Sequence, residues 1–412
     1  MLSKILKPYF QIEKIVLQFI AAEFFIQLVN ASFMMILNIY LSKKGYEDHQ
    51  IADFISLRFL TVMLLAFPLG LFIKGRNLKP LFYIAAIGVF VFSIGILLAA
   101  EFKQIDMIYF SAALWGMCYG IVQVLALPFI IRNASEKTKT AAISLSYATY
   151  SLAMILAGII IFVLNHFNPL YFDEFKCLLL LALLSGISIY FVFKMQQKEV
   201  IPAFEGSRLS LSGFDWGTIA FAMTPSLLLA IGAGLTIPFI NLFFFKVFKM
   251  ESDNFALLNS FSSITVAGAA LLVPHVRAKY GYKIAITRTQ SIAVISLALL
   301  ACTEFYATFE YSLYFAIFFF LIRQPLMNMA APVSSELVMQ YVGPKNQEII
   351  SALTASIWSG SWFFSAIIFS VLRKNGFAYA NVFLITAGIY AIAVLWYHFL
   401  IKAHLAKEQI KN

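Results

Sequence analysis

Charge is what this sequence has least of. Asp, Glu, Lys and Arg make up 12% of its 412 residues, about half the share of a soluble globular domain. Hydrophobic residues make up 61%, against about 45–50% in such domains, so a soluble fold is excluded. Cysteine is scarce as well. Cys118, Cys177 and Cys302 are scattered through apolar segments and fit neither a disulfide framework nor a metal site. The five histidines sit in loops or at the ends of apolar runs, without ligand spacing. No Gly-rich loop ending in Lys-Ser/Thr is there to cradle phosphates, which argues against an ATP-driven pump. No Ser-His-Asp or paired-carboxylate arrangement points to an enzyme, and no cofactor or metal is expected. The basic, amphipathic start MLSKILKPYFQIEK runs into an apolar stretch too long for a signal peptide and without a small-residue cleavage site.

What the sequence has is long apolar runs that carry almost no charge. Twelve of them, at about 15–41, 51–73, 80–100, 105–131, 140–165, 175–195, 216–245, 253–276, 281–303, 309–335, 348–372 and 378–401, are long enough to cross a bilayer of roughly 30 Å with about 20 residues each. Period-2 alternation is absent, so the backbone groups of these spans must be satisfied within helices. The expectation is an all-α integral membrane protein of twelve transmembrane helices embedded in a lipid bilayer. Its longest connection, 196–215, carries charge, Pro, Gly and Ser and reads as a cytoplasmic linker. It separates an N-terminal bundle, 1–195, from a C-terminal bundle, 216–412.

The loops set the orientation. Nineteen of the thirty basic residues flank one face, among them Lys74, Arg76, Arg132, Arg277 and Lys283; eight flank the other, among them Lys43, Lys44, Lys246 and Arg373. Basic loops stay cytoplasmic, so both termini are expected in the cytoplasm and the chain in the inner membrane. The net charge of +10 then reflects topology, and no nucleic-acid partner is expected. The two halves also echo each other. Pro68 and Gly75 recur as Pro274 and Gly281, Pro128 as Pro332, and Asn38 as Asn241, at offsets of 206, 204 and 203 residues. Such shared offsets suggest a duplicated six-helix unit.

Over essentially its whole length the sequence resembles the major facilitator superfamily. The loop Gly70-Leu-Phe-Ile-Lys74-Gly75-Arg76 is similar to that family's signature loop, with Lys74 where an acidic residue is usual. The stretch from Pro274 to Lys283 resembles its second-half counterpart. The segment IPFINLFFF and the later Arg323-Gln-Pro-Leu-Met-Asn328 resemble bacterial members. The resemblance implies two pseudo-symmetric six-helix bundles around a central cavity and alternating access by rocking. Spans 1, 4, 7 and 10 would line the cavity and spans 3, 6, 9 and 12 would lie outermost.

Ionisable groups inside spans are costly and mark functional candidates. In span one, Glu23, Gln27, Asn30, Met34 and Asn38 follow steps of four, three, four and four, which puts them on one helix face. Glu23 is the candidate for proton exchange; the plainer reading is that it pairs with an arginine and holds helices together. Span seven carries Asn241 on the matching face but no carboxylate, and its Pro225, Gly232, Gly234 and Pro238 read either as an interrupted, site-forming helix or as close packing. Span ten holds Arg323 with Gln324 and Asn328, and span two holds Arg58. A guanidinium stays charged when buried and suits a carboxylate or phosphate. Trp115, Tyr119 and Gln123 recur every four residues in span four, and Trp358 lies in the Ser-rich stripe Ser351, Thr354, Ser361 and Ser365 of span eleven. Both stripes fit cavity walls or tight packing.

The expected function is proton-coupled secondary active transport of a small organic solute, anionic or zwitterionic: an organic acid, an amino acid or a carboxylate siderophore. The alternatives are proton-antiport efflux of amphipathic drugs and a transporter-like sensor or scaffold that moves nothing. The expected partners are the small-molecule substrate and protons, and the expected state is a monomer.

Overall fold

A computed structural model describes residues 10–73, 76–135, 138–195, 215–343 and 347–411. They form twelve long helices and no strand. In chain order these are α1 (Lys14–Lys43), α2 (Asp48–Phe72), α3 (Lys79–Glu101), α4 (Ile105–Asn133), α5 (Lys139–Phe167), α6 (Glu174–Lys194), α7 (Trp216–Phe248), α8 (Ser252–Tyr282), α9 (Lys283–Arg288 continuing as Thr289–Cys302), α10 (Ser312–Val342), α11 (Gln347–Lys374) and α12 (Tyr379–Lys411). Ten of them are long and apolar enough to cross a membrane among the described residues. The Ser-, Thr- and Asn-bearing α8 and α11 complete the twelve. Of the expected linker, 196–214 lies outside the described residues, as do Lys74 and Gly75 of the loop after α2. Asp215 is described, and it caps α7: its carboxylate accepts the Thr218 amide at 3.1 Å and the Thr218 hydroxyl at 2.6 Å. Gly281 ends α8 at φ 69°, a left-handed conformation that glycine adopts without steric cost.

The chain forms two compact units. Unit 1 comprises Met1–Glu47, Asp53–Leu209 and Glu251–Ser260; unit 2 comprises Asp48–Ala52, Ser210–Met250 and Phe261–Asn412. In unit 1, α1 is the most deeply enclosed helix, with 78% of its most apolar stretch buried. Phe19 of α1 meets Phe82 of α3 and Phe129 of α4 at ring-centroid distances of 4.7 and 5.1 Å. Halfway along α1, Phe33–Leu37 adopts a π turn. In unit 2, α7 plays the corresponding part, with Phe239 stacked on Phe369 of α11 and Phe243 against Phe383 of α12. A 3-10 turn at Ile237–Phe239, containing Pro238, interrupts it.

Several basic residues of the sparser face meet carboxylates. In unit 1, Lys43 pairs with Glu174 at 2.6 Å and with Glu251, and Lys44 pairs with Glu101 at 2.7 Å. In unit 2, Arg373 pairs with Asp48 at 2.8 Å. On the richer face, Arg132 at the end of α4 donates to the carbonyls of Ile73 and Arg76 at 3.1 Å each, satisfying acceptors beyond the end of α2.

Glu13, just ahead of α1, ties together the turn between α4 and α5. Its carboxylate accepts the Ser135 amide at 2.9 Å and the Thr138 hydroxyl at 2.7 Å. Burial alone would push this carboxyl up, but the hydrogen bonds from Thr138 and Ser135 outweigh it and hold it below its ordinary 4.5. A group depressed in the folded state contributes stability above its unfolded pKa and loses it as pH falls through the folded one. Glu13→Gln is therefore expected to melt below the wild type at pH 7, with the gap closing as pH falls below about 4. A gap that is constant across that range in detergent melts would contradict this role.

Candidate functional site

The polar face of α1 is buried inside unit 1: Glu23, Gln27, Asn30 and Asn38 are 3–8% exposed. Around it, Arg58 of α2 and Trp115 and Tyr119 of α4 are also buried. A hydrogen-bonded set links Gln27, Asn30, Tyr119 and Arg58. The Tyr119 hydroxyl donates to Gln27 Oε1 at 2.9 Å, and the Asn30 amide donates to the same oxygen at 3.2 Å. Arg58 Nη2 donates to Asn30 Oδ1 at 2.5 Å, and Arg58 Nη1 faces Met34 Sδ at 3.6 Å. One turn before Gln27, Glu23 accepts the Ser146 hydroxyl of α5 at 2.6 Å. The plainer expectation for Glu23, an ion pair with an arginine, finds no support within unit 1. Among its described residues neither Glu23 nor Arg58 forms one.

Arg58 is instead held by aromatic faces. Its guanidinium lies 4.2 Å from the Trp115 ring centroid, 5.3 Å from Phe59 and 5.6 Å from Tyr119. Such contacts are worth about 2 kcal/mol when desolvated. The Trp115 and Tyr119 rings are parallel within 3° at 5.3 Å, and Phe33 of the π turn stacks on Trp115 at 5.6 Å. An arginine at the centre of a span costs about 2.5–3.5 kcal/mol even by insertion measurements, so the aromatic layer offsets much of that cost without neutralising the charge.

Gly116 is the residue that permits this packing. A Cβ there would stand 2.4 Å from the Arg58 carbonyl oxygen and 2.6 Å from Thr61 Oγ1, so only glycine lets α4 press its aromatic layer onto α2. Neither Gly116 nor Ser146 was singled out in the sequence. Gly116 precedes no turn and follows no motif, and its only signal was its place next to Trp115. Asn38 lies beyond the π turn, which breaks the 100° count that places it on the stripe. Gln123, one turn past Tyr119, is exposed.

Unit 2 holds a second buried guanidinium. Arg323 of α10 is 1% exposed; it donates to Gln324 Oε1 at 3.0 Å and lies within electrostatic reach of the buried Tyr390 of α12. Tyr390 in turn fills the space left by Gly232 of α7, where a Cβ would be 2.5 Å from its ring, and a Cβ at Gly234 would be 2.7 Å from Ser365 Cβ of α11. Both glycines are closely packed, and α7 is also interrupted beside them at Pro238. Asn241 is buried and its Oδ1 accepts the Leu242 amide at 2.8 Å, beside the 3-10 turn. The Asn328 amide donates to the Gln324 carbonyl at 2.9 Å, and Asn328 is exposed, while Trp358 is 39% exposed. A crevice of ≈ 270 Å³ between the start of α7 and α11 is lined by apolar side chains such as Trp216, Met223 and Ile357, and holds none of the expected site residues.

The sequence matches the profile of the Major Facilitator Superfamily over residues 19–366. A comparison with curated proteins gives no match. Among solved structures, the chain is similar to a bacterial homologue of the iron transporter ferroportin in an inward-facing state, at TM-score 0.73 and 12% identity over 95% of this chain and 98% of that one. It is similar to the D-xylose-proton symporter, at 0.70 and 14% over 94% and 96%. It is also similar to the nucleoside transporter NupG, at 0.69 and 16% over 95% and 100%. At these identities the likeness is one of fold.

The packing at Gly116 predicts that Gly116→Ala destabilises unit 1 by roughly 1–3 kcal/mol, the usual range for overpacking. The measurement is the apparent melting temperature in detergent, and an unchanged value would show that α2 and α4 do not meet as described.

Proposed function

The chain belongs to the Major Facilitator Superfamily and is a multi-pass membrane transporter rather than an enzyme; from that premise we propose that it carries out proton-coupled secondary active transport of a small organic solute bearing a carboxylate. The observation that carries the reading is the Arg58 guanidinium of unit 1, enclosed by aromatic rings and amides and left without a carboxylate among the described residues of that unit. A buried charge is retained where a partner meets it, and a solute carboxylate is the partner whose geometry fits a guanidinium. An organic acid or an amino acid satisfies that requirement; an amphipathic cation would be repelled.

Glu23 is the proton-exchanging group in this reading. It lies on the same α1 face as Gln27 and Asn30, and Tyr119 is within electrostatic reach of both Glu23 and Arg58. A proton gained at Glu23 and an anion bound at Arg58 then change the electrostatics of one buried cluster, which is what coupling requires. Arg323, with Gln324 and Tyr390, is a second candidate for solute contact in unit 2. The orientation we propose, with both termini cytoplasmic in the inner membrane, rests on the excess of basic residues in the loops of one face. The proposed division is 1–195 and 216–412 about a linker at 196–215.

In proteoliposomes, Glu23→Gln is expected to abolish solute accumulation driven by a proton gradient while leaving solute exchange intact. The assay compares gradient-driven uptake with counterflow of labelled organic acids. Normal accumulation by this variant would remove Glu23 from the coupling mechanism. Drug susceptibility that rises on deletion of the protein, with no acid taken up, would favour efflux instead.

A further inference from the structure

We propose that the solute's carboxylate is clamped by two donors of unit 1 acting together, Arg58 Nε and the indole N–H of Trp115, and that Trp115 is therefore a specificity-determining residue. This rests on the reading that the solute bears a carboxylate. Both nitrogens are buried and neither has a hydrogen-bond partner among the described residues. Other donors around them are engaged: Arg58 Nη2 by Asn30, the Tyr119 hydroxyl and the Asn30 amide by Gln27. Buried donors are almost always paired, so two orphans on one stacked pair call for an acceptor.

Their placement suits one acceptor group. The guanidinium carbon is 4.2 Å from the Trp115 centroid. Nε is bonded to that carbon and Nε1 belongs to that ring, so the two unpartnered N–H groups sit on one guanidinium–indole pair. A carboxylate beside this pair accepts one bond on each oxygen, in the two-pronged manner that makes guanidinium–carboxylate pairs strong. Gly116, which brings α4 against the Arg58 backbone, sets the register of the two donors. Phe33 stacks on the indole, and the indole N–H, which lies in the ring plane, is reached at the ring edge. A neutral amide brings no charge to the guanidinium, and its single carbonyl oxygen must serve both donors. The clamp therefore discriminates by charge.

The test uses the full-length protein in detergent with three matched pairs: acetate and acetamide, succinate and succinamide, benzoate and benzamide. Binding is read by thermal-shift titration and by the 15N-indole resonance of Trp115, assigned through its loss in Trp115→Phe. The expectation is that at least one carboxylate binds, moves the Trp115 resonance and does both more than its amide. Trp115→Phe, which keeps an aromatic face on Arg58 but removes the N–H, is expected to weaken that binding by about ten- to hundredfold, the range for a hydrogen bond to a charged group. Where that variant folds poorly, the Trp115 resonance is assigned instead as the one that survives replacement of the other tryptophans by Phe. Carboxylate binding that depends on Arg58 but leaves the Trp115 resonance and Trp115→Phe affinity unchanged overturns the clamp while the transport reading stands. No binding of any carboxylate to the wild type overturns both.

Discussion

A guanidinium enclosed in a membrane helix bundle is the constraint around which unit 1 is arranged. Arg58 cannot shed its proton, and the bilayer core offers it no water. The structure meets this with faces rather than with an opposing charge: Trp115 below it, Tyr119 and Phe59 beside it, Asn30 and Met34 on its outer nitrogens. Each of those choices propagates. The aromatic layer demands a close approach of α4 to α2, hence Gly116. Asn30 must present its oxygen to Arg58, so its amide turns to Gln27, which also receives Tyr119. The π turn at Phe33–Leu37 carries both Phe33 onto Trp115 and Met34 towards Arg58, in keeping with the frequent occurrence of such turns at functional sites.

Unit 2 handles the same problem with different means. Arg323 is more deeply buried than Arg58, but its neighbours are an amide and a phenol, Gln324 and Tyr390. Gly232 makes room for the Tyr390 ring, whereas Gly116 makes room for the Arg58 backbone. Each unit thus has a close-packed glycine near its buried arginine, but the two admit different groups. The carboxylate has no counterpart on the matching face of α7, so the chemistry assigned to proton exchange is confined to unit 1.

Much of the fold was legible because a bilayer leaves few choices. Apolar runs of some twenty residues with few charges must be helices, and the twelve read from the sequence correspond to twelve helices. The polar stripe of α1 was legible for the same reason, since the spacing of Glu23, Gln27 and Asn30 allows only one face. Pairings across helices were not. That Glu23 would turn to Ser146, and that Arg58 would lie on Trp115, depends on the rotation of α2, α4 and α5 about their own axes, which no single helix encodes. Asn38 shows the limit most clearly: a π turn shifts the helical phase, and nothing in Phe33–Leu37 as a string announces it. The α7 glycines were read two ways because close packing and helix interruption require the same residue, and α7 shows both, close packing at Gly232 and Gly234 and an interruption at Pro238.

The transport proposed for this chain is of a carboxylate-bearing solute together with protons. Its most direct test is proton flux in proteoliposomes carrying an internal pH-sensitive dye, challenged in turn with organic acids, amino acids and their neutral amides in the absence of an imposed gradient. The account predicts that at least one carboxylate acidifies or alkalinises the lumen in a protein-dependent way, while its amide is silent. Proton movement evoked equally by the amide, or by none of the acids, would contradict it.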